Sequence, residues 1–441
     1  MCKSTVELTK IAGICCSCGI CKTICPKSCI EYKREDGMYY PVVDNENCIR
    51  CGLCYDICPG VAHNYSVSDP IKAITGESVA ACNAWSNNEE IRHNSASGGC
   101  ISSLIVSLLE LNEYDVATVL DTYSYDTQVK STIIDKGNLD EYSKKSYLKS
   151  RYLPVSHEET VDFILKNKDK KVIITGTSCA IRGFLNIIEK YKLNRDNYLL
   201  VGLFCDKVFN YNIFNYFGTF ADGKSLTSLH FKNKDSGGWP GNMKLFFDDG
   251  SFKFLDYTER MKMKGFFMPQ RCLYCVDKVN ALADISIGDN FTQQDSSNKG
   301  SNSVIIRTQR GQNAWNIGLK SAITANSIDI KAITDAQDIK ARLNNAYFGL
   351  IKQSLLGRKG YHVEFNRGLE LKENPVDFYR AYKDWTRKFS LGKNYLRNSN
   401  ALARYIKRNK STGILSRVSS IISRVYHKIL RLTILPKLIN K

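Results

Sequence analysis

The chain has 441 residues, 43% of them hydrophobic and 24% charged, with a formal net charge of +18. Those proportions belong to globular proteins and exclude an intrinsically disordered chain, and the lack of any run of about eighteen apolar residues excludes a transmembrane span. Twelve Lys or Arg and no Asp or Glu lie between Leu391 and Lys441, which leaves +6 for everything before them and makes the basicity mainly a property of the tail.

The opening stretch, MCKSTVELTK, has no apolar core of a signal peptide. The seventeen cysteines are therefore expected to be thiolate metal ligands in a reducing, cytoplasmic setting rather than disulfides. An internal repeat comes first. Cys15, Cys18, Cys21 and Cys25 are followed by Pro26, and Cys48, Cys51, Cys54 and Cys58 by Pro59, each in the order C-x2-C-x2-C-x3-C. Between the repeats, Ile30 to Val43 alternates polar and apolar residues around Asp36-Gly37, which predicts a β-hairpin. Repeat and hairpin make a compact α+β unit over residues 1–67.

Further on, the spacing predicts a strand at Val79–Cys82, a helix through Ile101, Leu104, Ile105, Leu108 and Leu109, and a strand at Val116–Leu120. A helix around Val161–Leu165 and strands at Val172–Gly176 and Leu199–Phe204 follow. This alternation predicts an α/β domain over residues 68–346. Within it, residues 229–254 are strand-rich, and Ile285–Ile287 and Val304–Ile306 are short strands. Residues 347–441 read as helical, polar and basic.

Three evenly spaced cysteines and a Cys-Pro, twice over, fit a ferredoxin-type unit with two [4Fe–4S] clusters. In such runs the fourth cysteine ligates the other cluster. Cys15, Cys18, Cys21 and Cys58 are thus assigned to one cluster, and Cys48, Cys51, Cys54 and Cys25 to the other. The competing reading is a pair of zinc knuckles. Cys2, Cys16, Cys29, Cys82 and Cys100 have no partner spacing and read as incidental thiols. Cys179 and Cys205 end strands, where open α/β sheets bind ligands, and Cys272 and Cys275 form a C-x2-C pair. From spacing alone these four are a third cluster, a zinc site or unrelated thiols. Ser95-Ala96-Ser97-Gly98-Gly99 precedes a helix, where small residues and free N–H groups suit an anion that Arg92 would also contact. The competing reading is an ordinary serine cap.

Taken in order, these motifs resemble the coenzyme F420 hydrogenase/dehydrogenase beta-subunit family, from about Cys15 to Gly311. Arg92 with Ser95, Ser97, Gly98 and Gly99 resembles the family's flavin-phosphate segment. Gly176 to Ala180 resembles its G-T-P-C-Q, Cys205 its C-H-G, Cys272–Cys275 its C-Y-x-C, and Ala283 to Asp289 its A-D-I-T-I-G-D. The resemblance implies an FAD domain, with Asp284 and Asp289 among the cofactor residues. It also implies a third [4Fe–4S] cluster on Cys179, Cys205, Cys272 and Cys275. Ser178, Ala180 and Asp206-Lys207 depart from the family pattern at strand ends where substrate would bind, which leaves F420 or another small molecule as the substrate. Relatives of this kind also occur in bacterial polysaccharide-biosynthesis settings.

The function so implied is an iron–sulfur flavoprotein oxidoreductase with a redox partner protein or a small-molecule electron donor or acceptor. The alternative is a non-enzymatic electron-carrier subunit at a membrane surface. Ile414, Val418, Ile421, Val425, Ile429 and Leu432 recur at helical spacing beside basic residues, as in a helix that lies on an anionic membrane. The competing reading is a helix docked on its own domain. Nucleic acid is not expected, since no readout module accompanies the charge.

Overall fold

The computed structural model describes residues 5–61, 69–121, 125, 127–144, 148–366 and 368–411. Near the N-terminus, strands β1 (Ile30–Glu35) and β2 (Met38–Val43) form the expected antiparallel hairpin. Its two turn residues, Asp36 and Gly37, both have positive φ, the backbone that a tight two-residue turn demands.

Twelve more strands follow among the described residues. They are β3 (Ala80–Ser86), β4 (Val116–Leu120), β5 (Val129–Asp135), β6 (Val155–Ser156), β7 (Val172–Gly176) and β8 (Tyr198–Leu203), then β9 (Leu226–Asn233), β10 (Asn242–Phe247), β11 (Phe252–Leu255), β12 (Ile285–Asp289), β13 (Asn302–Ile306) and β14 (Ile323–Ser327). Nine of them form one sheet in the order β14-β3-β13-β12-β8-β7-β4-β5-β6, and β11-β10-β9 form a smaller one. The centre of the large sheet, β4, β7, β8 and β12, is parallel, whereas β13, β3 and β14 beside it are each antiparallel to their neighbours. The α/β reading therefore holds for the centre, and the domain as a whole is mixed.

Alternation along the central strands sorts their side chains into two cores. Ile173, Leu199 and Val201 face one side, under the helices Cys100–Glu110 and Gln309–Ser321 with buried Trp315. Val172, Ile174, Tyr198 and Leu200 face the other, under the helices Glu158–Lys166 and Ser178–Lys190. On the latter helix Ile181, Phe184 and Ile187 are fully buried, each contributing about 2 kcal/mol of transfer free energy.

Ile20, Ile24 and Ile57 of the N-terminal unit join this second core. The unit is pinned to that face by His157 N–H donating to the Cys18 carbonyl (2.9 Å) and by Asn186 Nδ2 donating to the Ile57 carbonyl (3.0 Å). Gly183 allows the close approach: a Cβ there would lie 2.4 Å from Ile20 Cδ1.

The C-terminal region is helical, with Leu343–Gly357, Tyr379–Lys393 and Tyr395–Ser411. The first two pack with Ala12 and Ile14 of the N-terminal unit and with Leu273 and Tyr274. The apolar stripe from Ile414 to Leu432 lies outside the described residues. Among the described residues no helix is long and apolar enough to cross a membrane.

Candidate metal centres and cofactor cleft

The two repeats fold into matching loops. Gly19 and Gly52 have positive φ and start the single helical turns Ile20–Thr23 and Leu53–Asp56. Each loop thereby brings three cysteines to one side. Cys58, from the second repeat, joins Cys15, Cys18 and Cys21 from the first, so their charges bear on one another. Cys25 likewise joins Cys48, Cys51 and Cys54 around one cavity of about 360 Å³. This is the crosswise grouping that the spacing predicts.

The first set, here called inner, is buried, while Cys51 of the outer set is exposed. Burial drives the inner thiols away from ionisation: Cys15 is pushed up to about 12, and Cys18 and Cys21 are raised well above the ordinary range with one another's charge adding to the effect. Desolvated, mutually repelling sulfurs suit a multinuclear metal group whose cationic core neutralises the thiolates. The Ser17 and Gly60 N–H groups point at Cys15 and Cys58 Sγ (both 3.4 Å), and Tyr32 Oη lies 3.1 Å from Cys21 Sγ. Among the described residues no three His, Cys, Asp or Glu side chains converge as tightly as a single metal ion requires; a cubane takes its ligands at four separate corners.

The third set also assembles. Cys179 sits in the first turn of the helix after β7, Cys205 two residues beyond β8, and Cys272 and Cys275 in and after the helix Gln270–Tyr274. The parallel β7–β8 pair sets the first two side by side. Burial raises Cys205 far above its ordinary range, and the charges of Cys272, Cys179 and Cys275 add to it. The neighbourhood is cationic. Arg342 Nη2 donates to the carbonyls of Cys205 (3.1 Å) and Asp206 (2.6 Å) and to Asp206 Oδ1 (2.8 Å), and Lys264 lies 3.2 Å from Asp206 Oδ2.

Two residues outside the expected ligands, Cys16 and Arg271, link this set to the inner one. Cys16, between Cys15 and Ser17, donates its thiol to the Ile14 carbonyl (3.8 Å) and stands near enough to Cys179 that its thiol is the chief influence lowering Cys179 to about 6. Arg271, next to Cys272, donates from Nη2 to the carbonyl of Pro59 (3.3 Å), the residue after Cys58, and its Nε is buried without a hydrogen-bond partner among the described residues. Burial works against the Arg271 charge, but the thiolates of Cys16, Cys275 and Cys179 outweigh it and hold the guanidinium well above its ordinary range. The sequence offered one hint, a basic residue directly before a C-x2-C pair. Cys16 and Cys29 gave none beyond being extra cysteines beside the repeats.

A cleft of about 580 Å³ opens at the C-terminal ends of β8 and β12. Ser95, Ser97, Gly99 and Asp289 line it, four of the seven residues expected to hold a cofactor. Ser95 Oγ is buried and has no hydrogen-bond partner among the described residues, and Gly99, at φ +82°, starts the helix Cys100–Glu110 whose N-terminus meets the cleft. An orphaned hydroxyl beside a helix N-terminus fits an anionic group such as a flavin phosphate. Lys232, which the motif reading left unassigned, lines the cleft and is ion-paired with Asp289.

The other three expected cofactor residues do different work. Gly98 packs behind the cleft, where a Cβ would lie 2.7 Å from Asn302 Oδ1. Arg92 does not line the cleft: its Nε and Nη2 both donate to the Gly300 carbonyl (3.0 and 2.8 Å), with its guanidinium over Trp85. A buried guanidinium spends its donors on the nearest unpaired carbonyl, so Arg92 braces the loop before β13. Asp284 precedes β12 and Asp289 ends it, so the strand's length, about 16 Å, separates them. Asp284 is wholly buried and accepts from Arg195 Nη2 (2.8 Å), Leu200 N (2.8 Å) and Thr308 Oγ1 (2.8 Å). It is a structural carboxylate at the far end of the sheet.

A buried thiolate-rich module joined to a cleft at the end of a mixed sheet defines an iron–sulfur electron-transfer protein. Residues 41–62 match the family model of the 4Fe-4S binding domain, and residues 169–336 match that of the C terminus of the coenzyme F420 hydrogenase/dehydrogenase beta subunit. Over residues 169–336 the chain is thus similar to the coenzyme F420 hydrogenase/dehydrogenase beta-subunit family. No curated protein matches the chain. Among solved structures it is similar to a chain of the xenon-derivatised F420-reducing [NiFe] hydrogenase complex from Methanosarcina barkeri, at 20% identity and a TM-score of 0.49 over 68% of this chain and 99% of that one.

Proposed function

We propose that the protein is an iron–sulfur flavoprotein oxidoreductase. Cys15, Cys18, Cys21 and Cys58 would hold one [4Fe–4S] cluster, Cys25, Cys48, Cys51 and Cys54 a second, and Cys179, Cys205, Cys272 and Cys275 a third. The cleft would hold FAD. When bound, such clusters carry electrons singly and a flavin exchanges them in pairs with a substrate.

One observation carries this reading: consecutive residues at the end of β8 serve two sites, with Phe204 lining the cleft and Cys205 in the third set. A group in the cleft and a group on the cysteines are thereby held next to each other by one rigid strand. Ser95 and the helix N-terminus receive the anionic end of the cofactor, and the Lys232–Asp289 pair fixes the cleft's polar wall. The inner, buried set faces the third set across Cys16 and Arg271, while the outer set opens toward solvent and a redox partner. A small molecule entering the cleft, F420 or another, completes the reading.

Removal of Ser95 together with Gly99 (Ser95→Ala/Gly99→Val) tests it. Protein reconstituted anaerobically should keep its iron and lose its flavin. A variant that keeps flavin, or a parent protein that never binds it, refutes the assignment of the cleft.

A further inference from the structure

Cys29 lies outside the repeat and outside every motif that assigned a metal ligand. The structure nevertheless brings it into the outer set. After Pro26, Ser28 adopts positive φ, and this left-handed residue turns the chain back so that Cys29 enters the hairpin directly before β1. The Asp44 N–H donates to the Cys29 carbonyl (2.8 Å) and fixes it there. Cys29 Sγ lies 3.4 Å from Cys25 Sγ, and it lines the same cavity as Cys25, Cys48, Cys51 and Cys54. Five sulfurs thus surround a site with four corners to fill.

We propose that Cys29 is a reserve ligand of the outer centre: its thiol donates to the Cys25 sulfur, and it takes over that corner when Cys25 is lost. The exchange is balanced without a redox partner. Were the outer set to hold a cluster, the corner iron would give up the Cys25 sulfur for that of Cys29, and the Cys29 proton would pass to the departing Cys25 thiolate. The short approach makes this feasible, because Cys29 has to swing only by a side-chain rotation while β1 and the rest of the loop stay in place. The inference rests on the outer set holding a cluster, so Cys51→Ala serves as a separate control.

The test uses the full chain reconstituted anaerobically, with iron content and the EPR spectrum of the reduced protein as readouts. Cys25→Ala should keep the parent's iron and show an altered outer-centre spectrum, whereas Cys25→Ala/Cys29→Ala should lose about four iron per chain. Loss of iron or of folded protein in Cys25→Ala alone would overturn the inference, as would full iron in the double variant. Cys51→Ala tells this apart from failure of the outer-centre reading: unchanged iron there means that no outer cluster exists.

Discussion

Replacing Arg271 by Gln removes a guanidinium whose charge bears on both the inner and the third cysteine sets. Its Nη2 donates to the Pro59 carbonyl, and its charge is felt by Cys16, Cys58, Cys179 and Cys275. Thiolate-ligated clusters carry net negative charge, so a nearby cation favours the reduced state and its loss lowers the midpoint potential. At a separation of about 6 Å and an effective dielectric of about 20, a unit charge is worth about 3 kcal/mol. For one electron that corresponds to about 120 mV. Partial solvent exposure of Arg271 reduces the expected fall to about 60–120 mV. An EPR-monitored redox titration of anaerobically reconstituted parent and Arg271→Gln reads this directly, with iron content as the control for cluster loss. Equal iron with midpoints unchanged to within about 20 mV, about a third of the smallest expected fall, refutes the placement of Arg271 between the two sets.

Other outcomes follow from the same geometry. His157 is lowered to about 4 by burial, so the unfolded chain binds its proton first as pH falls below about 6.5. Stability should drop by about 1.4 kcal/mol per pH unit between about 6.5 and 4, and urea denaturation should show a shallower acid loss for His157→Gln than for the parent. Ser95→Ala alone should weaken flavin retention about fivefold, the equivalent of about 1 kcal/mol for one hydrogen bond, while the circular dichroism spectrum stays unchanged. Asp284→Asn leaves the half-buried Arg195 without its wholly buried counter-charge and should cost about 2 kcal/mol in denaturant after solvent screening, with the flavin-to-protein ratio of the folded fraction preserved; loss of flavin at full stability would return Asp284 to the cofactor site.

The parts legible in the sequence were those in which one short segment specifies its own geometry. The cysteine repeat, the Asp36-Gly37 turn and the apolar runs of β4, β7 and β8 are local signals, and the crosswise grouping of Cys25 and Cys58 follows from the repeat itself. The strands β5, β6 and β14 were missed because they are short or carry polar residues, as in Ile323-Thr324-Ala325-Asn326-Ser327, and become strands only by pairing with a neighbour. Arg92 and Asp284 were placed by their motifs, yet what each side chain meets is settled by distant segments, the Gly300 loop for one and Arg195 with Thr308 for the other. Cys16, Cys29 and Arg271 were invisible for the same reason: spacing within a loop does not report what stands opposite it.

We propose that three cysteine sets and a cleft hold three clusters and a flavin. Anaerobic reconstitution with iron, sulfide and FAD, followed by quantification of all three per chain, tests it most directly. About twelve iron, about twelve sulfide and one flavin are expected; about eight iron without flavin, or zinc in place of iron, would contradict the claim.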